Sequence, residues 1–475
     1  MRVERGKRAA LVAREIEDDI AAAGWQVGTV FGTESELTER YGASRSVMRE
    51  AVRLVEHHKV ARMRRGPAGG LIVQEPDPRG AATALVIYLE HVGTSVADLM
   101  DVRLVLEPLA AGLTAQRLDE EAISILRTAV EEESAPVTDG PVARIPDRVH
   151  HAIARACGNP VLRLFLDVLE DLSEHFAARP RRMTREEVAA MDRQVRVEHV
   201  ALVDAITAGE RGRAEHLAAE HLAAMREILL KTAPNGRAWK GTTYRPPAEP
   251  GKLAEALAEQ IRLDLTREGR AVGEVVGSEN DVRERYNVSR QVLREAVRLL
   301  EHHGVAKMQR GPGGGLVVTQ PDPWASIEAI AVYLDYQRID IDDLRAVRTA
   351  VELACVDRVI ERRSDPSVIE RLTRAVDFDE SASPDALKGL VHDVHRELAI
   401  LSANPVLDLF LCVLASLWER HGLRRRTASP LRNRALLGQV KSAHASLVEA
   451  VLAGDAKVAR NRMTRHLDAL TAWWQ

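Results

Sequence analysis

The sequence predicts a mostly α-helical protein with two winged helix-turn-helix domains, each with a small β-wing, and two all-helical bundles, arranged as a tandem repeat. Three observations support this prediction: a duplication that spans the chain, a glycine-rich hairpin pattern in each copy, and long amphipathic helical patterns after each hairpin. At 475 residues the chain is long enough for about three or four folding units.

The duplication has a constant offset of 245 residues. The segments that begin at Ser44 and Ser289 share about 25 of roughly 35 positions, and no gap is needed along the copies. The copies are residues 1–230 and 246–475. Residues 231–245 between them are polar and contain glycine and proline, which is typical of a linker.

Each copy divides again at a Pro-Asp-Pro sequence, at 76–78 and at 321–323. Prolines on both sides of an aspartate end one element and begin another. We expect a winged domain before this point and a helical sensor domain after it. The predicted domains are 1–76, 79–230, 246–321 and 324–475.

The winged domain is predicted from caps and charges. Thr33 to Glu36 has the pattern of a capping box that begins a short helix, and Ser44 can cap the next helix. Arg45 and Arg49 lie four residues apart near the start of that second helix, where a recognition helix contacts base edges. The glycine-rich segment that follows predicts two strands whose tip reaches phosphate or the minor groove.

The same residue types recur in both copies, so both are predicted to bind double-stranded DNA. A solvated helix face is the other interpretation of Ser-Arg-x-x-x-Arg, but the hairpin and the duplication favour DNA. The predicted DNA-binding residues are Ser44, Arg45, Ser46, Arg49, Arg65 and Gly66, and in the second copy Ser289, Arg290, Gln291, Arg294, Arg310 and Gly311.

Composition excludes several classes of protein. No apolar run of 18 residues is present, so no membrane span is expected. The first twenty residues carry charges throughout, unlike a signal peptide, and the three cysteines are far apart. We therefore expect a cytoplasmic protein without a disulfide framework.

The pattern SRxxxREAxRxLE, followed by a glycine-rich wing, resembles the GntR-type regulators, and the helical domain resembles the FCD sensor of their FadR branch. The resemblance covers nearly the whole chain, twice. It implies that the winged domains bind operator DNA and that the helical domains bind a small, often carboxylate-bearing effector. It also implies a further DNA-binding arginine in the preceding helix, but Ser35 and Asn280 stand at that position.

Three histidines in each helical domain survive the offset, whereas others have diverged. Imidazoles from separate helices can converge inside a bundle and bind a divalent cation such as zinc. The resemblance implies the same site with an added aspartate, but Pro146 and Val391 stand there, and Asp147 is the neighbouring candidate. Buried histidines without a metal remain the alternative. The predicted ligands, for one metal in each sensor domain, are Asp147, His150, His199, His221, His395, His444 and His466.

The effector site is predicted from four further residues. Arg103 and Arg348 are the last residues of two D-L-x-x-V-R patterns. The resemblance implies that these arginines face an anionic effector. The alternative is a salt bridge to the glutamate four residues later. Asn159 and Asn404 precede prolines, where a helix cap is the alternative to a role in the pocket.

These features predict a transcriptional regulator in which the two copies form an intramolecular pseudo-dimer on a two-part operator. Whether fused chains form a further homodimer stays open. A metal-dependent enzyme and a scaffold that does not bind DNA are the competing classes. The sequence contains no general-base motif beside the histidines, no nucleophile elbow and no phosphate loop, so we expect no enzyme.

Overall fold

A computed structural model describes most of the chain, and its two copies repeat the same order of elements. No helix among the residues that it describes is long and apolar enough to cross a membrane. The described residues are 2–64, 66, 69–134, 148–176, 185–232, 253–311, 313–377, 394–424 and 434–472.

Each winged domain consists of three helices and three short strands. The predicted capping box is present: the Glu36 amide donates to Thr33 Oγ1 at 3.3 Å, and the Thr33 amide donates to the Glu36 carboxylate at 2.8 Å. The elements of the first copy are α1 (Arg2–Ala22), β1 (Val30–Gly32), α2 (Glu34–Arg40), α3 (Arg45–His57), β2 (Ala61–Arg64) and β3 (Gly70–Val73). Those of the second copy are α11 (Leu253–Glu268), β4 (Val275–Gly277), α12 (Glu279–Tyr286), α13 (Arg290–His302), β5 (Ala306–Gln309) and β6 (Gly315–Val318).

The strands form one antiparallel sheet per winged domain, in the orders β1-β3-β2 and β4-β6-β5. Each glycine-rich segment was expected to form two strands, and these are β2 and β3 in the first copy and β5 and β6 in the second. The third strands, β1 and β4, were not predicted, because three residues are too few to show an alternating pattern.

The sensor domains are helical bundles, and seven helices are described in each. In the first they are α4 (Arg79–His91), α5 (Val96–Gln116), α6 (Glu120–Ser134), α7 (Arg148–Ala156), α8 (Pro160–Phe176), α9 (Arg185–Thr207) and α10 (Arg211–Thr232). In the second they are α14 (Trp324–Tyr336), α15 (Ile341–Glu361), α16 (Pro366–Val376), α17 (394–401), α18 (Pro405–Arg424), α19 (Arg434–Ala453) and α20 (Ala456–Ala472).

The helical period seen in the sequence corresponds to buried faces. In α5, Val102 and Leu106 are fully buried, and in α8, Phe165 and Leu169 are buried one turn apart. Helix α10 continues to Thr232, so the predicted linker, 231–245, begins inside a helix, and its remainder lies outside the described residues.

The two sensor domains pack against each other through equivalent residues. The rings of Phe165 and Phe410, which occupy matching positions, stack with centroids 3.9 Å apart. Asn159 donates from Nδ2 to the carbonyl of Asp343 at 3.0 Å, and Asn404 donates to the carbonyl of Asp98 at 2.9 Å. One apolar core therefore runs through both sensor domains.

The winged domains dock in a crossed arrangement. Val332 of α14 belongs to the core of the first winged domain, where Trp25 also meets Tyr336 edge-on at 5.2 Å. Ile87 of α4 belongs to the core of the second winged domain. Each winged domain thus contacts the first sensor helix of the other copy.

Candidate DNA-binding surface and metal centre

The first recognition helix, α3, presents its predicted residues to solvent. Ser44 caps it, with Oγ accepting from the amide of Val47 at 3.4 Å, so the helix begins at Arg45. Ser44, Arg45, Ser46 and Arg49 are all exposed. The Nε of Arg49 lies 2.9 Å from the Glu34 carboxylate, and its side chain is 71% exposed. This arginine is therefore held beside the helix while its guanidinium stays accessible.

The second recognition helix, α13, repeats this arrangement with more ion pairing. Ser289 caps it, and Ser289, Arg290, Gln291 and Arg294 are exposed. Glu279 accepts from Arg290 at 2.9 Å and from Arg294 at 3.3 Å. The arginines lower the pKa of the Glu279 carboxyl, with the hydrogen bond from Arg290 as the largest cause.

Both hairpin tips need glycine. Gly66 has φ +117° and Gly311 has φ +108°, backbone angles that residues with a Cβ rarely adopt, and both are exposed. Arg310 beside the second tip is also exposed. Arg65, its predicted counterpart, lies outside the described residues.

Three histidines of the first sensor domain converge from three helices: His150 on α7, His199 on α9 and His221 on α10. The Nε2 of His199 lies 3.2 Å from that of His150 and 3.3 Å from that of His221. Each Nδ1 meets a carboxylate: His150 bonds Glu107, His199 bonds Glu133 at 2.7 Å, and His221 bonds Glu198 at 2.7 Å.

This arrangement fits a metal ion. A carboxylate beside each Nδ1 accepts its proton, so each Nε2 carries a lone pair, and three lone pairs then face one another. A cation removes that repulsion. Three nitrogens bound to tetrahedral zinc at about 2.0–2.1 Å lie roughly 3.3 Å apart, which matches the spacing of the histidines.

The surroundings of the triad favour neutral imidazole rings, the form that binds a metal ion. Burial lowers the pKa of His221 to about 4, so this ring is neutral at pH 7, as metal binding requires. Burial raises the pKa of Glu107, but Arg103 and His150 outweigh it and lower the value to about 2.

The second sensor domain also brings its three histidines together, on α17, α19 and α20. The Nε2 of His466 lies 3.2 Å from that of His395 and 3.0 Å from that of His444. His395 bonds Glu352 through Nδ1. Burial lowers the pKa of His466 to about 3.

A cavity of about 760 Å³ opens beside the first triad. Its lining includes all three histidines and the arginines Arg103 on α5 and Arg148 and Arg155 on α7. Arg103 also pairs with Glu107 and donates to Ser173 at 3.3 Å. Arg103 thus forms the salt bridge to Glu107 and also borders the cavity, and its contact with an effector stays a prediction.

Comparison with known proteins agrees with this architecture. The FCD domain model matches residues 98–224 and 343–469, more than half of the chain, and the model of bacterial regulatory proteins of the gntR family matches 253–318. This chain belongs to the GntR family. It is a transcriptional regulator with FCD domains and a tandem duplication, as predicted, and not an enzyme.

Named members of the GntR family resemble one copy at a time. The transcriptional repressor NanR of Cronobacter sakazakii is 26% identical over 49% of this chain and 88% of its own length. A fatty acid metabolism regulator protein of Pectobacterium carotovorum is 30% identical over 32% of this chain and 62% of its own length. A solved structure, Streptococcus agalactiae GntR, covers 46% of this chain and 99% of its own, with 20% identity and a TM-score of 0.30.

The contacts of the two asparagines favour a helix cap, the alternative to a role in the pocket. Asn159 is not among the residues that line the first cavity. Each asparagine caps the helix that follows: Oδ1 of Asn159 accepts from Leu162 at 3.0 Å, and Oδ1 of Asn404 accepts from Val406 at 3.0 Å. Each Nδ2 donates to a carbonyl of the other copy. These contacts assign them to capping and to the boundary between copies. Asp147, the predicted fourth ligand, lies outside the described residues.

Sequence reasoning missed the carboxylates that orient the first triad. Glu107 was considered only as a partner for Arg103, and Glu133 and Glu198 were not considered. Only Glu198 is adjacent in sequence to a predicted ligand, His199, although its own partner is His221, 23 residues away. Glu133 lies 66 residues before its histidine, so only the folded bundle reveals that contact.

Proposed function

We propose that this regulator reads a two-part operator with its two winged domains and changes its DNA affinity when a carboxylate effector binds beside a histidine-held metal. The observation that supports it most strongly is the first triad, three inward Nε2 atoms each backed by a carboxylate, at the wall of an arginine-lined cavity. Such a protein acts on cytoplasmic DNA.

The proposed metal ligands are His150, His199 and His221 in the first sensor domain and His395, His444 and His466 in the second. Three imidazoles suit zinc, nickel, copper or iron. The ion would supply open coordination positions and a positive charge for an effector carboxylate. Glu107, Glu133 and Glu198 hold the first three rings in the orientation that the ion needs.

The cavity favours an anionic effector. Arg103, Arg148 and Arg155 line it, while the lining carboxylates are Glu132, which pairs with Arg148, and Glu170, which pairs with His151. Arginine binds carboxylates through paired donors. A small di- or tricarboxylate fits this combination of charge and volume.

The proposed DNA contacts come from α3, α13 and the hairpin tips. Two recognition helices in one chain replace the two subunits of a dimer. Because Ser46 stands opposite Gln291 in the offset, the two half-sites differ in sequence.

The test uses the full chain and a fluorescent DNA site selected from random sequence. Binding is followed by the fluorescence anisotropy of the DNA, in buffer that contains zinc, with and without each member of a panel of carboxylates. We expect one carboxylate to change the Kd for DNA by about 5-fold or more. Arg103→Ala should remove that response. The matched control, Arg127→Ala, changes an exposed arginine of α6 outside the cavity lining and should keep it. A Kd for DNA that stays the same with or without metal and with every carboxylate would contradict the effector proposal.

A further inference from the structure

We propose that the effector of the first sensor domain is a carboxylate that also carries an alkyl or aryl group, which binds in an apolar end of the cavity. This inference rests on the proposed function and narrows the class of ligand. It follows from the way in which the lining residues are distributed among the helices.

The charged end of the cavity is formed mainly by α7 and α8. Helix α7 contributes four polar residues to the lining, Arg148, His150, His151 and Arg155. The lining residues of α8 are also polar. Arginines and a metal ion bind carboxylates, so this end suits the acidic groups of the effector.

A separate part of the lining, formed by α9 and α10, is apolar. Apart from the two metal ligands on these helices, the described residues that they contribute to the lining are Met191, Val195, Leu222, Met225 and Leu229. Ligand pockets combine such apolar walls with a few polar groups that orient the ligand. The composition of this wall predicts that the ligand has an apolar part.

The apolar residues of α10 form a strip that leads away from the triad. His221, Met225 and Leu229 are spaced four residues apart, so they share one face of the helix. At a rise of about 1.5 Å per residue, Met225 lies about 6 Å and Leu229 about 12 Å along the axis from His221. A ligand bound beside the triad therefore has an apolar surface within its reach.

Helix α5 provides a second apolar strip that meets the first. Val96 and Met100 line the cavity on the two turns before Arg103. They form one apolar cluster with Leu222 of α10, and Met225 packs against this cluster. The cavity is therefore charged at one end and apolar at the other.

The protein itself covers this apolar end incompletely. Met225 and Leu229 are only half-buried, and both line the cavity. A ligand group that removes such surface from water tightens binding by about fourfold in Kd for each buried methylene. The volume of about 760 Å³ also lies in the upper part of the range of about 300–1,000 Å³ that ligand pockets occupy. A carboxylate without an apolar group would leave this part of the cavity unused.

The second sensor domain has different residues at matching positions. Arg345 stands at the place of Met100. Trp418 stands at the place of Ser173, and its ring lies over Arg348, with 4.7 Å from the ring centroid to Cζ. The proposal therefore concerns the cavity of the first domain alone.

The test compares two dicarboxylates that differ only in an apolar group. The zinc-loaded full chain is titrated by calorimetry with malonate and with n-butylmalonate, and the binding event that Arg103→Ala weakens is assigned to the first cavity. We expect butylmalonate to bind there at least about 30-fold more tightly than malonate. The Kd for DNA should respond to butylmalonate at a correspondingly lower concentration.

A variant in the apolar strip tests where the alkyl group binds. Met225→Gln should reduce the ratio of the two Kd values to about fivefold or less, because it places an amide against the alkyl group. The matched control, Leu217→Gln, changes a half-buried residue of the same helix outside the lining and should keep the ratio. General damage to the fold would weaken both ligands and leave their ratio unchanged.

The outcomes separate this inference from the proposed function. Equal Kd values for the two ligands, or a ratio that Met225→Gln leaves unchanged, would overturn the inference and leave the proposed function in place. If neither ligand binds and neither changes the Kd for DNA, both are overturned.

Discussion

The two copies differ little in their winged domains and more in their sensor domains. Both winged domains keep two exposed arginines on the recognition helix, a serine at its N-cap and a glycine at the hairpin tip, and the exposed residues of α3 and α13 nearly coincide. The sensor domains keep their mutual packing, through Phe165 and Phe410, but differ around the histidines. The comparison shows that the exposed surfaces of the recognition helices have changed less than the surroundings of the histidines.

A second contrast lies at the crossed junctions, where the charges are reversed between copies. In the first, Glu17 of α1 is buried with His58 at 2.5 Å and with Arg420 of α18 at 2.8 Å. In the second, Arg262 stands at the position of Glu17 and pairs with Glu90 of α4. Pairing the second copy with another of its own kind would set Arg262 at the place of Glu17, beside Arg420, two like charges. The reversal therefore favours the pairing of copy one with copy two.

The largest effect should come from inverting a buried charge at the first junction. Arg420→Glu places a carboxylate beside Glu17 and Glu328, and we expect it to lower the free energy of unfolding by about 3–5 kcal/mol. Adding Glu17→Arg should restore part of the loss. Urea unfolding measures both variants.

Its control is an exposed ion pair on one helix. Arg374→Glu disrupts the pair with Glu370 and should cost less than about 1 kcal/mol. If the double variant at the junction is no more stable than the sum of the two single changes predicts, the pair is not coupled and the pairing argument is wrong.

Lowering the pH should weaken the same junction, and the expected loss in the free energy of unfolding is slightly smaller. Burial raises the pKa of Glu17, but His58 and Arg420 outweigh it and lower the value from 4.5 to about 2. A lowered folded-state pKa gives stability that is complete above about pH 4.5 and is lost as the pH falls toward 2, about 3 kcal/mol in all. The free energy of unfolding between pH 6 and 3, measured by urea at about 25 °C, should therefore fall more steeply for the wild type than for Glu17→Gln. Parallel curves would show that Glu17 is not paired.

The winged domains, which differ little between the copies, can be tested by DNA binding. Arg49→Ala and Arg294→Ala should each cost about 1–3 kcal/mol of binding and relax a different half-site. Selection from random DNA followed by sequencing measures this, with Arg213→Ala on α10 as an exposed control. Relaxation of the same positions by both variants would mean that the two helices do not divide the operator.

The smallest effect is expected at the hairpin tip. Arg310→Ala should weaken all DNA sequences alike, by about tenfold or less, because a phosphate contact carries no sequence information. The slope of log affinity against log salt should fall by about one. A change in sequence preference would instead indicate a contact to base edges.

Much of the fold could be predicted because it depends on neighbours in the chain. The capping box at Thr33, the cap at Ser44 and the turn glycine Gly66 join residues a few positions apart, and the offset of 245 residues shows the repeat directly. The strands β1 and β4 escaped prediction because each becomes a strand only by pairing with a hairpin some forty residues away.

By itself the sequence determined the tandem winged and helical architecture, the GntR resemblance and the histidines that converge in each bundle. Tertiary structure alone decided that each winged domain docks on the other copy, that Asn159 and Asn404 join the copies, and that Trp418 covers Arg348. The reason is physical: caps and amphipathic faces are set by residues within a few positions. A contact such as Glu17 with Arg420 joins residues 403 positions apart and exists only when the chain is packed.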